Sequence, residues 1–306
     1  MSKSPFLNGT RMQWAWDSTS LGWLKECPRK YQYHMLEGWS GRGESIHLEF
    51  GILYHEALEH YEKARAFNVS HEEAVRDTIS LILRRTWRDN KPWRAAIDLS
   101  PEDKASLKNR ENLIRTIVWY LDKFKDDPAK TKFSNGNPMI ELHFQFEVED
   151  GITLCGYLDR VVDFQNEPFV MDRKTTTSTL GSYYFDQYDP DNQMSFYTVA
   201  SQIAFKTPVK GVIVDAAQIA VGFSRFVRSF VFKTSDQIDE WMKDLRIWLK
   251  MAERFALDNY WPMNDKSCHK FGGCPFREIC SKSQHVREKF LESHFERKEW
   301  NPLVLR

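Results

Sequence analysis

The chain has 306 residues, and its 43 lysines and arginines balance 43 aspartates and glutamates, so the formal net charge is zero. This balance excludes a global basic field, so any nucleic-acid binding must use a local basic groove. The start, Met1-Ser2-Lys3-Ser4-Pro5, lacks the apolar segment of a signal peptide, and no apolar run approaches the roughly 20 residues of a membrane span. We therefore expect an intracellular, cytoplasmic protein without a membrane partner.

The N-terminal part of the chain predicts a helical region. Apolar residues at helical spacing predict four helices, over 21–36, 48–66, 71–87 and 101–124. Ser18 is among the residues that can cap the first helix, in which Pro28 either kinks the helix or begins a new turn. His55 lies in the second helix, where a lone histidine is usually structural or exposed.

Strand signals begin after a polar linker over 126–138. The predicted strands cover 140–148, 152–164, 169–174, 209–219 and 225–232, with turn signals at 149–151 and 165–168. Asp191 or Asn192 can cap a helix over 193–205, and a long amphipathic helix follows over 236–257. This order predicts an α/β fold in which helices pack on a mixed central sheet.

The second and third predicted strands carry two aspartates and a lysine. Asp172 and Lys174 are two residues apart, so on a strand their side chains share a face. Asp159 precedes Asp172 by a distance that suits a hairpin partner. Carboxylate oxygens bind Mg²⁺ or Mn²⁺, and a lysine can orient a water or neutralise charge on a phosphoryl group. The alternative is a solvated ion pair of little energetic value.

Five short motifs follow one another in an order that resembles RecB-type nucleases of the PD-(D/E)XK superfamily. The motifs are Gly51-x-x-x-His55, Glu141, Gly156-x-x-Asp159, Asp172-x-Lys174 and Gln193-x-x-x-Tyr197. The resemblance covers residues 20–280 and implies a restriction-endonuclease-like core with an Mg²⁺ or Mn²⁺ site.

The resemblance also implies roles for these residues. His55, Asp159 and Asp172 would bind the metal, and Lys174 would act on the water and the scissile phosphate. Gln193 and Tyr197 would support the site and contact DNA. Glu141 would touch a second metal or brace the site, and an exposed strand glutamate is the alternative.

Four of the five cysteines form a second pattern: Cys27, Cys268, Cys274 and Cys280. An odd count without a secretion signal argues against a disulfide framework, and Cys155 is interpreted as a core residue. One distant and three C-terminal cysteines resemble the iron–sulfur subset of the family, which includes AddB-type and CRISPR-adaptation nucleases. This resemblance implies a [4Fe–4S] cluster. The Cys268–Cys274 gap is wider than is usual there, so zinc or unrelated thiols remain alternatives.

These observations predict three regions in one compact unit. They are an N-terminal helical region over 1–138, a nuclease core over 139–260, and an iron–sulfur segment with a tail over 261–306. The expected function is a Mg²⁺- or Mn²⁺-dependent deoxyribonuclease, an exonuclease on single-stranded DNA or DNA ends, with endonuclease activity as an addition. The enzyme would act in recombination, repair or phage DNA metabolism. The alternatives are a CRISPR-adaptation nuclease and a non-cleaving DNA-binding subunit.

The expected partner is DNA. No Walker-type motif is present, so a helicase, annealing or CRISPR-adaptation protein would be a separate chain. Aromatic residues that could stack on bases follow Lys174: Tyr183, Tyr184, Phe185 and Tyr188. Candidates for a phosphate track are Arg29, Lys30, Arg42 and Arg173, with a solvated surface as the alternative for each.

Overall fold

The computed structural model describes residues 4–43, 45–99, 107–149, 151–270 and 273–304. The chain divides into two compact units, and each is discontinuous in sequence. The first unit comprises Met1–Gly43, His143–Gly156 and Thr234–Arg306, and the second comprises Glu44–Leu142 and Tyr157–Lys233.

The helices and strands lie close to the predicted positions. The longer helices are α1 (Ser18–Glu26), α2 (Ile46–Ala66), α3 (His71–Arg85), α4 (Arg110–Lys123), α5 (Asn192–Ala204), α6 (Ser235–Leu257) and α7 (Arg287–His294). Shorter helical segments are Pro28–Tyr31, Gln32–Leu36, Ala96–Asp98, Ser182–Asp186, Asp265–Ser267, Arg277–Ser281 and Gln284–Val286. The long strands are β1 (Ile140–Glu149), β2 (Ile152–Phe164), β3 (Glu167–Thr176), β4 (Gly211–Ala220) and β5 (Phe223–Val231). Short strands are Ala15–Trp16, Trp39–Gly41, Trp87–Arg88, Lys91–Pro92, Lys130–Thr131, Phe133–Ser134, Asn137–Pro138 and Phe295–Arg297.

The second unit contains a mixed sheet. Strand β3 pairs antiparallel with β2 and parallel with β4, and β5 pairs antiparallel with β4. Helix α5 lies in the crossover that the parallel pair β3–β4 requires. Asp191 caps this helix by accepting from the backbone N–H groups of Gln193 and Met194. The prediction of an α/β fold with a mixed sheet and flanking helices is confirmed.

A hydrophobic core in the second unit joins α2, α3 and α4 to β4 and β5. Leu53 and Ala57 of α2, Ile82 of α3, Ile117 of α4 and Phe226 of β5 are among its buried residues. The buried residues of α2 recur at the predicted helical spacing. This packing fixes the rotation of α2 about its own axis, and with it the direction of His55.

The first unit brings the two ends of the chain together. Phe295–Arg297 pairs antiparallel with Trp39–Gly41, and Ala15–Trp16 pairs parallel with Thr153 and Leu154 at the start of β2. Strands β1 and β2 pair with each other, and each passes from one unit into the other.

The structure differs from the prediction in the first helix, in the linker and at the start of one further helix. The helix predicted over 21–36 is interrupted at Cys27, which is extended because Pro28 follows and begins a new helix. The predicted linker over 126–138 contains the strand Lys130–Thr131, which pairs with β2, and a hairpin at Asn135-Gly136 whose positive φ angles suit this dipeptide.

The helix predicted over 101–124 begins at Arg110; residues 101–106, and Asp150 of the predicted turn, lie outside the described residues. In the described part of the chain no helix combines the length and the apolar character needed to cross a membrane.

Candidate active site

The candidate site lies in the second unit, where β2 and β3 separate. A two-residue turn at Gln165-Asn166, with φ angles of 52° and 64°, sets the register of this hairpin. The ladder extends to the pair Met171–Arg160, so Asp159 and Asp172 follow directly where pairing ends. The freed backbone N–H of Arg173 donates to Asp159 Oδ2 at 2.8 Å. The hairpin thus delivers both carboxylates to one place, as the sequence spacing predicted.

Helix α2 directs the His55 imidazole at Asp159. His55 Nδ1 lies 3.5 Å from Asp159 Oδ2, and His55 Nε2 lies 3.1 Å from the carbonyl oxygen of Arg173. A carbonyl can only accept, so the proton is on Nε2 when the ring is neutral. The Nδ1 lone pair then faces Asp159, which is the arrangement of a metal-binding histidine oriented by a backbone carbonyl.

Glu141 joins His55 and Asp159 through an unusual backbone conformation. Its φ of 49° places it in the left-handed region near the start of β1, which is uncommon for a non-glycine residue. One ligand atom each from His55, Glu141 and Asp159 all lie within 4.8 Å of one another. Two carboxylates and an imidazole at this spacing can hold a divalent cation.

Asp172 lies outside that three-residue group and faces Lys174. Lys174 Nζ is 2.7 Å from Asp172 Oδ2 and donates to Gln193 Oε1 at 2.7 Å. Gln193 Nε2 in turn donates to the Tyr197 hydroxyl at 2.9 Å. The i, i+4 pair on α5 therefore fixes the lysine ammonium, and the ammonium fixes Asp172.

Burial and mutual repulsion perturb the carboxylates of the site. Burial and the negative charge of Asp159 raise the pKa of Glu141 to about 7. Burial also raises the pKa of Asp172, although Lys174 opposes this shift. Burial works against ionisation of Asp159 too, but His55 and Arg173 outweigh it and hold the Asp159 pKa below its usual range. A cation placed among these groups would relieve the repulsion, which is typical of a functional site.

The Arg173 side chain has a structural position that the sequence did not indicate. It is fully buried and pairs with Glu62 of α2, and Glu62 also accepts from Arg160 Nη1 at 2.6 Å. The assignment of Arg173 to a phosphate track is therefore wrong, because its guanidinium has no exposed surface. The available signal was that Arg173 lies between Asp172 and Lys174, so on a strand it faces the opposite side.

The aromatic residues after Lys174 differ in exposure. Tyr183 is 86% exposed, whereas Tyr184 and Tyr188 are partly buried with their hydroxyl oxygens 3.1 Å apart. Of the predicted stacking residues, Tyr183 therefore offers the most open ring.

The four cysteines of the predicted cluster lie in the first unit and none forms a disulfide. The Cys27 thiol accepts from the backbone N–H of Asn264 at 3.3 Å, and the Cys268 thiol lies 4.0 Å from the Asn264 carbonyl. Burial raises the pKa of Cys280 to about 11, and the charges of Cys274 and Cys27 act in the same direction. Burial likewise raises the pKa of Cys274, with contributions from Cys27 and Cys268. The fold thus brings together cysteines that are distant in sequence; Cys27 and Cys268 are 241 positions apart.

The fold and the site define a nuclease. The chain matches the family model described as the PD-(D/E)XK nuclease superfamily over residues 18–281, and it belongs to that superfamily. Members generally use divalent metals, which agrees with the chemistry of the His55, Glu141 and Asp159 group.

Comparisons with individual proteins add little to this assignment. A crystal structure of a proposed exonuclease from Eubacterium rectale is 10% identical, with a TM-score of 0.46 and coverage of 83% of this chain and 85% of the other. The crystal structure of SSO0001 is 13% identical, with a TM-score of 0.36 and coverage of 88% and 86%. Similarity of this degree supports no inference about activity. No curated protein matches the chain.

Proposed function

We propose that this protein is a metal-dependent deoxyribonuclease that hydrolyses phosphodiester bonds, acting as an exonuclease on single-stranded DNA or DNA ends. The observation that carries the proposal is the juxtaposition of a three-residue ligand group with an anchored lysine. His55, Glu141 and Asp159 lie together, and Asp172 follows Asp159 at the end of the same hairpin and holds the Lys174 ammonium.

The ligand group fits Mg²⁺ or Mn²⁺. Its carboxylate oxygens suit hard cations, and the imidazole favours Mn²⁺ somewhat over Mg²⁺. When bound, such an ion lowers the pKa of a coordinated water and stabilises negative charge on phosphate. The protein supplies a fixed imidazole tautomer, because the Arg173 carbonyl accepts from His55 Nε2. It also supplies a buried carboxylate in Asp159, which Arg173 and the protonated form of His55 hold ionised; a bound cation would take the place of the proton on His55 Nδ1.

Lys174 would act as a positioned cation. Burial lowers its pKa, but the Asp172 charge outweighs burial, so the pKa is raised and the ammonium stays protonated. A protonated amine cannot accept a proton from water, and it can donate to the attacking water or to a phosphoryl oxygen. Gln193 and Tyr197 keep the amine in place. Tyr183 offers a stacking surface for a base of the substrate strand.

The cysteines of the first unit support a [4Fe–4S] cluster held by Cys27, Cys268, Cys274 and Cys280. One distant and three C-terminal cysteines differ from the paired spacing that is typical of zinc knuckles, and this pattern favours iron–sulfur over zinc. Burial outweighs the positive charges of Arg29 and Arg287, so the pKa of Cys280 is raised, and its thiol would lose its proton on binding a metal.

A cleavage assay tests the nuclease. Wild-type protein with Mn²⁺ should degrade linear single-stranded DNA and leave circular single-stranded DNA intact. Asp172→Ala and Lys174→Ala should each reduce the rate at least about 100-fold, the usual cost of removing one preorganised charge-stabilising group, while DNA binding persists.

Lys210→Ala serves as the matched control, because Lys210 is an exposed lysine of the same unit. Full cleavage by the Lys174 variant would contradict its role. Rapid cutting of circular DNA would show that the protein is an endonuclease and not an exonuclease.

A further inference from the structure

We propose that a second site, in the first unit, binds the phosphate backbone of single-stranded DNA, a role that rests on the nuclease function proposed above. The site is a cavity of about 530 Å³, which we call the arginine pocket. Four arginines line it: Arg11, Arg29, Arg287 and Arg297. Glu37 and Glu288 are the acidic residues of the lining, so four positive and two negative charges leave an excess of +2.

Two of the arginines are oriented by backbone carbonyls. Arg29 Nε donates to the Trp261 carbonyl oxygen at 2.7 Å. Arg287 donates through Nε and Nη2 to the carbonyl oxygens of Lys282 and Cys280, each at 3.0 Å. A carbonyl fixes the direction of a guanidinium without cancelling its charge, whereas a carboxylate would do both. These two arginines are therefore held as oriented cations.

The other two arginines lie around Glu37. Arg297 donates through Nη1 to the Glu37 carbonyl oxygen and places its guanidinium carbon 3.7 Å from the centre of the Trp39 ring. Arg11 Nη1 lies 3.7 Å from a Glu37 carboxylate oxygen, which also accepts from Gln32 Nε2 at 2.8 Å. One carboxylate thus serves Arg11 and Gln32, and the Arg297 charge is directed by a carbonyl and a ring.

An aromatic ring beside the cations indicates the kind of anion. Tyr260 lines the pocket and is 58% exposed, and the guanidinium carbon of Arg29 lies 5.6 Å from its ring centre. An open ring next to oriented cations suits a phosphate that carries a base, since the base can stack on the ring. In single-stranded DNA the bases are free to stack. A pocket of this volume accommodates such a unit.

The chain as a whole has no net charge, so attraction for DNA must come from local sites such as this one.

The arginine pocket is tested by measuring how a short, fluorescently labelled single strand of DNA binds to the protein. Fluorescence anisotropy is the readout, and divalent ions are left out. Arg11→Gln combined with Arg297→Gln should weaken binding about tenfold and reduce the slope of log affinity against log salt by about 0.7 per lost phosphate contact. Tyr260→Ala should weaken binding at least about fivefold without changing the salt slope. All three side chains are exposed, so the variants should fold.

The control is Arg254→Gln combined with Lys289→Gln, which removes the same charge from exposed positions of the first unit outside the pocket. Wild-type affinity and salt slope in the pocket variant would overturn the proposal. The proposal would also be overturned if inorganic phosphate bound as tightly as the DNA strand and Tyr260→Ala did not change the affinity for DNA. The pocket would then be only a phosphate site. If the wild-type protein cuts no DNA but the pocket variants lose binding, the nuclease proposal fails and the arginine pocket stands.

Discussion

At the scale of single residues, Glu141 has a left-handed backbone conformation, with a φ of 49°. A left-handed φ in a non-glycine residue costs on the order of 1 kcal/mol or more and persists where the surroundings enforce it. Its carboxylate lies beside Asp159, whose charge helps to raise the Glu141 pKa to about 7. Strain and repulsion at one residue are typical of a functional site and agree with a role of Glu141 in binding a cation.

Replacing Glu141 by glutamine tests this interpretation. Glu141→Gln should weaken Mn²⁺ binding at least about tenfold, as expected for a lost carboxylate ligand, and should leave the metal-free fold at least as stable, because a repulsive charge is removed. Isothermal titration calorimetry measures the first effect and thermal unfolding the second. Glu147→Gln, at an exposed position of the same strand, is the control. Unchanged Mn²⁺ affinity in Glu141→Gln would exclude Glu141 from the ligand set.

Lys108 is a buried lysine beside β3. Its ammonium donates to Thr175 Oγ1 at 2.8 Å and lies 4.6 Å from the Phe50 ring centre. The side chain is almost fully buried, and burial lowers its pKa to about 8. The contact with Thr175, which follows Lys174, makes Lys108 part of the support of β3.

The Lys108 pKa predicts a rise in stability with pH. The unfolded chain keeps the lysine protonated up to about pH 10.4, and the folded chain loses the proton near pH 8. Between these values the unfolded state binds more protons, so the free energy of unfolding increases with pH, by up to about 3 kcal/mol. Urea unfolding should therefore show that the free energy of unfolding of the wild type increases relative to that of Lys108→Met over this window. Below pH 7 the difference between the two proteins should be constant. A constant difference across the whole range would contradict a lowered pKa.

Much of the residue set of the site could be predicted from the sequence, because its spacing is local. Asp159, Asp172 and Lys174 lie on one hairpin, and Gln193 and Tyr197 share a helical face. The partnership of Glu62 with Arg173 could not be predicted, since it depends on how α2 packs on β3. The proximity of Glu141 to His55 likewise depends on tertiary packing, which no short-range pattern reveals.

At the scale of elements, two glycines of the motifs have different physical roles. A Cβ on Gly156 of β2 would lie 3.0 Å from Phe144 Cζ and 3.4 Å from its Cε1, and the φ of this residue is 157°. A Cβ on Gly51 of α2 would meet only Thr175 Oγ1, at an ordinary 3.9 Å. Close packing therefore requires glycine at 156, and packing within the protein does not require it at 51.

Alanine at each position separates these roles. Gly156→Ala should destabilise the protein by about 1–3 kcal/mol, because the Phe144 ring must move. Gly51→Ala should stabilise it by up to about 1 kcal/mol, because alanine is favoured in a helix interior. Thermal unfolding should show shifts of opposite sign. Equal shifts in the two variants would show that close packing on Phe144 is not what requires glycine at 156.

Element types could be predicted from periodicity, and their interruptions could not always be. The apolar alternation of β1 and the helical spacing of the apolar residues of α2 are each typical of an element with one buried face, and the sequence displays both patterns directly. The sequence did not decide whether the helix is kinked or interrupted at Cys27, because a proline either bends a helix or begins one. The pairing of Lys130–Thr131 with β2 could not be predicted, because both residues are polar and lie in a stretch with the composition of a linker.

At the scale of the whole molecule, the two candidate chemistries belong to different units. The second unit contains His55, Glu141, Asp159, Asp172 and Lys174, whereas the first contains the four clustered cysteines and the arginine pocket. Both units are discontinuous in sequence, so a linear division of the chain cannot describe them. Cys27 lies near the start of the chain and the other three cysteines near its end, so the proposed cluster would cross-link distant residues and restrain the unfolded state.

The variant Cys27→Ala tests this cross-link. Protein purified without oxygen should be brown, and the variant should lose its visible absorbance and its bound iron. Closing a loop of 241 residues between Cys27 and Cys268 contributes about 5 kcal/mol by the entropy of the unfolded chain, so the thermal midpoint should fall markedly. Cys155→Ala is the matched control, because Cys155 is a fully buried thiol of the same unit that donates to the Trp16 carbonyl. It should lower stability by the cost of a small cavity and leave colour and iron unchanged. Wild-type colour and stability in Cys27→Ala would remove this cysteine from the ligand set, and stoichiometric zinc in place of iron would replace the cluster with a zinc site.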